Sequence, residues 1–149
     1  MFRFVFAAIF FTLALGGRPP PLKECRSTVG HVVNATVTGC QFRNEKYILT
    51  DRANAGIKIY FVANKQVLNF KAVAKVNIGG VLVPYPIPNS DGCSNLKCPL
   101  QKGGPYFYQY TLALPKDLRL PKIQINVHME LQDQNNDAIA CVIIPVQIH

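Results

Sequence analysis

Apolar and polar residues alternate with a period of two along most of the chain after residue 18. The clearest example is KIQINVHMEL, residues 122–131, and the segments AGIKIYFV and FKAVAKVNI, residues 55–62 and 70–78, follow the same pattern. Alternation of this kind is typical of strands with one buried face. Turn signals such as Gly79-Gly80 separate the strands at short spacing. The sequence therefore predicts an all-β protein in which two antiparallel sheets stack as a β-sandwich.

A proline-rich segment, GVLVPYPIPNSDGC at residues 80–93, places large apolar residues between prolines. Proline has no N–H for a sheet ladder, so we expect this segment to form a stiff edge that does not pair with a neighbouring strand. A second apolar segment, YFYQYTLALP, also ends at a proline, and the small residues Ala72 and Ala74 belong to the buried face of their strand. These features favour a ligand cavity between the sheets, bordered by the two segments, although a filled core would produce the same alternation.

The first 17 residues have the three parts of a secretory signal peptide: a basic residue, Arg3, an apolar run, and small residues at Gly16 and Gly17. The 12 apolar residues of the run would rise only about 18 Å as a helix, whereas the hydrocarbon core of a bilayer is about 30 Å thick. We therefore predict a signal peptide over residues 1–17 and one domain over residues 18–149. The product is expected to be secreted, in the extracellular space or the lysosomal lumen.

Five cysteines in a secreted chain are more often disulfide partners than metal ligands or catalytic thiols. Cys93 and Cys98 are close enough for a local bridge, and a bridge between Cys25 and Cys141 would close the longest loop. Cys40 would then be left over. Two bridges among five cysteines can be drawn in about 15 ways, so spacing alone leaves the connectivity open.

No arrangement of side chains in the sequence suggests catalysis or a bound metal. None of the three histidines has a setting typical of a catalytic base, and no serine lies in a G-x-S-x-G turn. The cysteines have no histidine partners at metal-binding spacing. We therefore expect a protein that is not an enzyme and needs neither a metal nor another cofactor.

The chain is basic, with a net charge of +8 from 16 Lys and Arg against 8 Asp and Glu. These basic residues are scattered singly, which argues against a nucleic-acid groove. A basic balance outside the cytosol favours either solubility or contact with an anionic membrane surface. The sequence also contains one glycosylation motif, Asn34-Ala-Thr36, which predicts an N-linked glycan on Asn34.

The run VPYPIPNSDGCSNLKCPLQKG, followed by PKIQINVHMELQD and CVIIPVQI, resembles the family of soluble Niemann-Pick type C sterol-transfer proteins, which consist of an ML lipid-recognition domain. The resemblance extends from Lys23 to Ile148. It implies an immunoglobulin-like β-sandwich of about seven strands with a lipid cavity between the sheets. It also implies a carrier that binds a cholesterol-like sterol and transfers it to membranes or to a polytopic membrane protein that accepts sterol. Other members present microbial lipid to an innate-immune receptor, or carry fatty acids and semiochemicals, and these functions are the alternatives.

The resemblance implies a pairing for the cysteines. By position, Cys25 corresponds to a partner of Cys141, and Cys93 to a partner of Cys98. A third bridge of the family would need a cysteine where this chain has Tyr47. Cys40 is therefore expected to be an unpaired thiol.

The resemblance also assigns residues to ligand binding and to contact with membranes. The mouth of the family's pocket corresponds to Tyr85 and Leu120, with their neighbours along the chain. The expected ligand-binding residues are Val83, Tyr85, Pro86, Leu120, Pro121 and Val127. Basic residues near the two apolar segments are expected to dock the mouth on an anionic membrane: Lys97, Lys102, Lys116, Arg119 and Lys122.

Overall fold

The computed structural model describes residues 19–50, 54–113 and 122–149. The predicted signal peptide lies outside these ranges. Within them the chain forms ten strands and a 3-10 turn at Gly92–Ser94, and no helix in this part is long and apolar enough to cross a bilayer. The strands are β1 (Lys23–Glu24), β2 (Gly30–Thr38), β3 (Gln41–Arg43), β4 (Lys46–Leu49), β5 (Asn54–Ala63), β6 (Phe70–Ile78), β7 (Val81–Tyr85), β8 (Gly103–Ala113), β9 (Gln124–Asp133) and β10 (Ala138–Ile148).

The strands form two sheets. The larger sheet has seven strands in the order β3-β4-β10-β9-β6-β7, with β1 also paired to β10, and the smaller sheet has the order β2-β5-β8. All pairs are antiparallel except β4 and β10, which run parallel. The predicted immunoglobulin-like β-sandwich is confirmed. The expected number of about seven strands was too low because β1, β3 and β4 have only two to four residues, which is too short for alternation to show.

Prolines lie within three strands, β7, β8 and β10, and in β7 and β10 the sheet has room for the missing donor. The expectation that the proline-rich segment stays unpaired is wrong, because β7 pairs with β6 from Val81 to Tyr85, with Pro84 opposite Lys75. β7 is the last strand of its sheet in the described ranges, so there it needs backbone donors on one side only. Pro145 lies between the part of β10 that pairs with β1 and the part that pairs with β4. The missing N–H of Pro145 therefore falls in a gap between two partner strands.

One end of the sandwich is filled with large side chains, and we call it the closed end. Phe61, Phe70, Tyr108 and Leu131 are at most 1% exposed there. The ring centroid of Phe70 lies 6.2 Å from that of Phe61 and 6.0 Å from that of Tyr108, which is the spacing of favourable tilted ring pairs. Gly92 packs so tightly on Phe70 that an added Cβ would lie 2.2 Å from the ring. This end of the core therefore has no room for a ligand.

Two disulfides link chain segments within the sandwich. Cys25–Cys141 links β1 to β10 across a sequence separation of 116 residues, and Cys93–Cys98 closes the loop before β8. Loop-closure entropy predicts that they stabilise the fold by about 5 and about 2 kcal/mol. The carboxylate of Asp91 accepts a hydrogen bond from the N–H of Cys93 at 3.0 Å and caps the 3-10 turn.

Candidate functional site

The other end of the sandwich, which we call the open end, contains a cavity of about 160 Å³ between the two sheets. Apolar side chains of β9 and β10 form part of one wall of the cavity, because every second side chain of each strand faces the smaller sheet. The larger sheet contributes Tyr47, Leu49, Ala74, Val76, Tyr85, Ile125, Val127, Met129, Ile144, Val146 and Ile148. The smaller sheet contributes Val37, Ala55, Gly56, Ile57, Tyr110 and Leu112, and Cys40 and Ile87 complete the lining.

The cavity exists because small residues replace large ones along the same strands. On β5, Ala55 and Gly56 lie at the open end, whereas Phe61 fills the closed end. On β6, Phe70 fills the closed end, whereas Ala74 lines the cavity. Larger side chains elsewhere in the core set the distance between the two sheets. Alanine and glycine are too small to fill that distance, so a gap remains beside them.

The polar atoms beside the cavity belong to groups that stay uncharged at physiological pH. Burial raises the pKa of the Cys40 thiol. Burial is also the main reason why the pKa of Tyr47 is raised, and the nearby Cys40 raises it further. Burial also raises the pKa of Tyr110, whose hydroxyl donates a hydrogen bond to the carbonyl of Pro88. The lining contains no Asp, Glu, Lys, Arg or His among the residues that the structure describes. Such a cavity suits an uncharged, apolar ligand, because a buried charge would find no partner there.

Tyr85 marks the entrance. It lies at the end of the edge strand β7, lines the cavity, and is still 40% exposed. Among the strands that the structure describes, β7 pairs only with β6, and none lies on its outer side. One side of Tyr85 therefore faces the cavity while the other faces solvent.

The structure brings together part of the expected ligand-binding set. Tyr85 and Val127 line the cavity. Val83 and Pro86 are exposed and are not part of the lining. Leu120 and Pro121 lie outside the described residues. Sequence reasoning missed Tyr47, Tyr110 and Ile87, because only the packing of two sheets shows which residues border a gap.

Of the basic residues expected to dock on a membrane, the three that the structure describes do not lie together. Gly103, next to Lys102, pairs with Ala63 at the closed end, whereas Ala55 lines the cavity. Eight residues of strand separate these two levels, or about 26 Å at about 3.3 Å per residue. Lys102 therefore lies far from the cavity, and the nearby loop that holds Lys97 is bound to Val67 of the closed end through Leu100. Lys122 precedes β9 at the open end, and Lys116 and Arg119 lie outside the described residues.

Exposed apolar side chains cluster at the open end instead. The β6–β7 hairpin turns through Gly79 and Gly80, whose positive φ angles of 58° and 87° favour glycine. We call the apolar residues on either side of this turn, together with one residue before β9, the hairpin patch. Its members are Ile78, Val81, Leu82, Val83, Tyr85 and Ile123, each at least 38% exposed.

The remaining predicted sites have clear positions. Cys25 is bonded to Cys141 and Cys93 to Cys98, while Cys40 is a half-buried free thiol beside the cavity. A nitrogen of His128 and the sulfur atoms of the first bridge lie within 4.8 Å of one another. Both sulfurs are already in the disulfide, so they are not available to a metal as thiolates. Asn34 is exposed on β2.

Comparison with known proteins agrees with this architecture. The profile of the ML domain matches residues 20–148. NPC intracellular cholesterol transporter 2 of Bos taurus is 34% identical over 151 residues, which cover 98% of this chain and 98% of that protein. NPC intracellular cholesterol transporter 2 homolog a of Drosophila melanogaster is 34% identical over 127 residues, covering 84% of both chains. The crystal structure of a Niemann-Pick type C2 protein from Japanese carpenter ant superposes with a TM-score of 0.78 at 25% identity, covering 86% of this chain and 98% of that one.

Proposed function

Because the chain belongs to the ML domain family, we propose that it binds a sterol in the cavity at the open end and carries it to membranes. The observation that supports this proposal most directly is the cavity, which is enclosed by apolar side chains and contains no charged group in the described part of the chain. The names of the similar proteins, which are cholesterol transporters, favour a sterol over the other lipids that members of this family carry.

The cavity must widen to hold a sterol. Its volume of about 160 Å³ is below the range of about 300–1,000 Å³ that is usual for ligands of this size. β7 is the part of the wall best able to move, because within residues 19–50, 54–113 and 122–149 it is paired on one side only, and because it carries the half-exposed Tyr85. We therefore propose that ligand entry separates the edge strand β7 from the smaller sheet.

The binding energy available is sufficient for a carrier. A ligand of about 30 heavy atoms at about 0.3 kcal/mol per atom gains about 9 kcal/mol, which corresponds to a submicromolar dissociation constant. Release then has to occur where the ligand meets another apolar phase. A carrier that opened in water would expose both its ligand and its cavity wall.

We propose that the hairpin patch provides this contact with a membrane. Leucine and valine side chains contribute about 1.5–3 kcal/mol each when fully buried, so insertion of Val81 and Leu82 would give useful affinity. Lys122 lies at the same end and can contribute about 1 kcal/mol on an anionic surface. A polytopic membrane protein that accepts sterol is a further acceptor consistent with this arrangement. The two disulfides favour a protein that functions outside the cytosol, in the extracellular space or the lysosomal lumen.

Lipid identification tests the proposal. The protein is secreted from cultured eukaryotic cells, purified without detergent, and extracted for mass spectrometry of the bound lipid. We expect sterol in near-stoichiometric amount, and a fluorescent sterol should bind the delipidated protein with a submicromolar dissociation constant. A preparation that holds fatty acids or lipopolysaccharide and does not bind the fluorescent sterol would overturn the sterol assignment.

A further inference from the structure

An aromatic pair lies on the outer face of the smaller sheet, with Tyr60 exposed and Phe107 half-buried. In the strand register, Asn34 of β2 is opposite Tyr60 of β5, and Tyr60 is opposite Phe107 of β8. The neighbours of Tyr60 on β5, Ile59 and Phe61, are fully buried, so Tyr60 points away from the core. The rings of Tyr60 and Phe107 pack in a tilted arrangement with their centroids 4.7 Å apart and an interplanar angle of 42°, and Tyr60 is 42% exposed. We call Asn34, Tyr60 and Phe107 the outer row.

A β-bulge in β2 directs Asn34 into this row. The register shifts between Val32 and Asn34, so Val33 has no partner opposite it on β5. Val33 and Asn34 are both exposed, whereas Ala35 is buried. Bulges re-aim side chains in this way. Asn34 therefore lies beside the ring of Tyr60 and on the same face of the sheet.

The outer row combines a glycosylation motif with a surface that suits a sugar. Asn34 and Thr36 of the motif are both exposed, and the side chain of Asn34 makes no hydrogen bond with any described residue. The C–H face of a pyranose ring is apolar and packs on aromatic rings, while its hydroxyl groups need polar partners. Phe107 also borders a groove along β8 whose other side chains are mostly uncharged amides and hydroxyls, among them Asn89 and Ser94. The distance from Asn34 to Phe107 is two strand spacings, or about 10 Å.

We propose that Asn34 carries an N-linked glycan whose first sugar packs on the Tyr60–Phe107 ring pair and whose next sugars follow the groove along β8. The inference goes beyond lipid binding, and it rests on passage through the secretory pathway, as the proposed function does. The glycan covers the outer face of the smaller sheet and leaves both the hairpin patch and Tyr85 free. It therefore shields exposed aromatic surface without blocking the lipid path.

The first experiment tests occupancy. The protein and the variant Thr36→Ala, which removes the motif but keeps Asn34, are secreted from the same eukaryotic cells and measured by intact mass before and after treatment with peptide N-glycosidase. We expect one N-linked glycan on the wild-type chain and none on the variant. A wild-type chain without a glycan overturns the proposal. Sterol binding by Thr36→Ala is expected to be unchanged, so the glycan and the sterol assignment can fail independently.

The second experiment tests packing. An endoglycosidase trims the glycan to a single N-acetylglucosamine, and Tm is compared with that of the fully deglycosylated chain. We expect the retained sugar to raise Tm by about 2–5 °C, the effect of one aromatic contact in a domain of this size. The rise should disappear in Tyr60→Thr and persist in Leu68→Ala, which truncates an exposed apolar side chain at the closed end.

A third measurement needs no variant. The acetyl methyl protons of the retained sugar are expected to resonate upfield of their position in the denatured glycoprotein, because they lie near the two rings. The same chemical shift in both states, or a rise in Tm that survives in Tyr60→Thr, would show that the sugar projects into solvent and would overturn the packing.

Discussion

We expect the substitution Ala74→Leu to stabilise the empty protein and to weaken lipid binding at the same time. Ala74 is 5% exposed, lines the cavity, and is opposite Tyr85 in the strand register. Leucine adds three carbon atoms at about 0.8 kcal/mol per buried methylene, and part of this gain is lost to imperfect packing, so the free energy of unfolding should rise by about 1–2 kcal/mol. A cavity of about 160 Å³ costs about 4 kcal/mol at about 24 cal/mol per Å³, so partial filling can supply this amount.

The same three atoms occupy space that the ligand needs. If the ligand gives up contacts equivalent to three heavy atoms, at about 0.3 kcal/mol each, it loses about 0.9 kcal/mol, or about fivefold in affinity. Opposite signs for stability and binding distinguish a functional cavity from a packing defect in an ordinary core.

Denaturant unfolding of the delipidated protein and titration with a fluorescent sterol measure the two quantities. The control is Val73→Leu, which enlarges the neighbouring side chain by one carbon atom at a half-exposed position that does not line the cavity. We expect the control to leave sterol affinity unchanged. A less stable Ala74→Leu protein with unchanged affinity would refute the reasoning, because it would mean that the cavity is neither empty nor the binding site.

Three further predictions concern the membrane contact and the core. Leu82→Asp should slow sterol transfer to anionic vesicles about tenfold, because it removes about 1.5 kcal/mol of apolar contact. The control Leu68→Asp, at the closed end, should not slow transfer. Equal transfer rates for the two variants would exclude the hairpin patch as the membrane contact. Burial raises the pKa of Tyr108 to about 12, and its hydroxyl has no hydrogen-bond partner among the described residues. The protein should therefore lose stability as pH rises from 10 towards 12, and Tyr108→Phe should lessen this loss and add about 1 kcal/mol at neutral pH. A Tyr108→Phe protein less stable than wild type would show that the hydroxyl is satisfied. Replacing Cys25 and Cys141 by serine should lower the free energy of unfolding by about 5 kcal/mol, and removing the second disulfide by only about 2 kcal/mol, as measured in denaturant; equal losses would contradict the loop-entropy argument.

The faces of the strands could be predicted from the sequence because alternation depends only on neighbouring residues. Ile57, Ile59 and Phe61 face inward as expected, and so do Met129 and Leu131. The alternation also correctly placed Val127 on an inward face, and it lines the cavity.

The position of a loop relative to the cavity could not be predicted in the same way. Lys102 was expected near the entrance because it follows the proline-rich segment along the chain. The chain between residues 86 and 102 instead runs to the closed end, where Leu100 pairs with Val67. This path depends on contacts between residues far apart in sequence, to which local pattern is insensitive. The same limit applies to the strand pairing of Pro84, which depends on the position of β7 at the edge of its sheet.

The cavity and the Cys25–Cys141 disulfide have opposite effects of similar size on the free energy of unfolding. An unfilled cavity of about 160 Å³ lowers the free energy of unfolding by about 4 kcal/mol, a large part of the 5–15 kcal/mol that a typical domain has. The bridge between Cys25 and Cys141 raises it by about 5 kcal/mol, and it does so without occupying the space between the sheets. The bridge fixes β1 on β10, the strand whose Ile144, Val146 and Ile148 form part of the cavity wall. A chain that keeps a gap for its ligand can therefore remain folded when the ligand is absent, and the stabilisation comes from a covalent link rather than from side chains that would fill the gap.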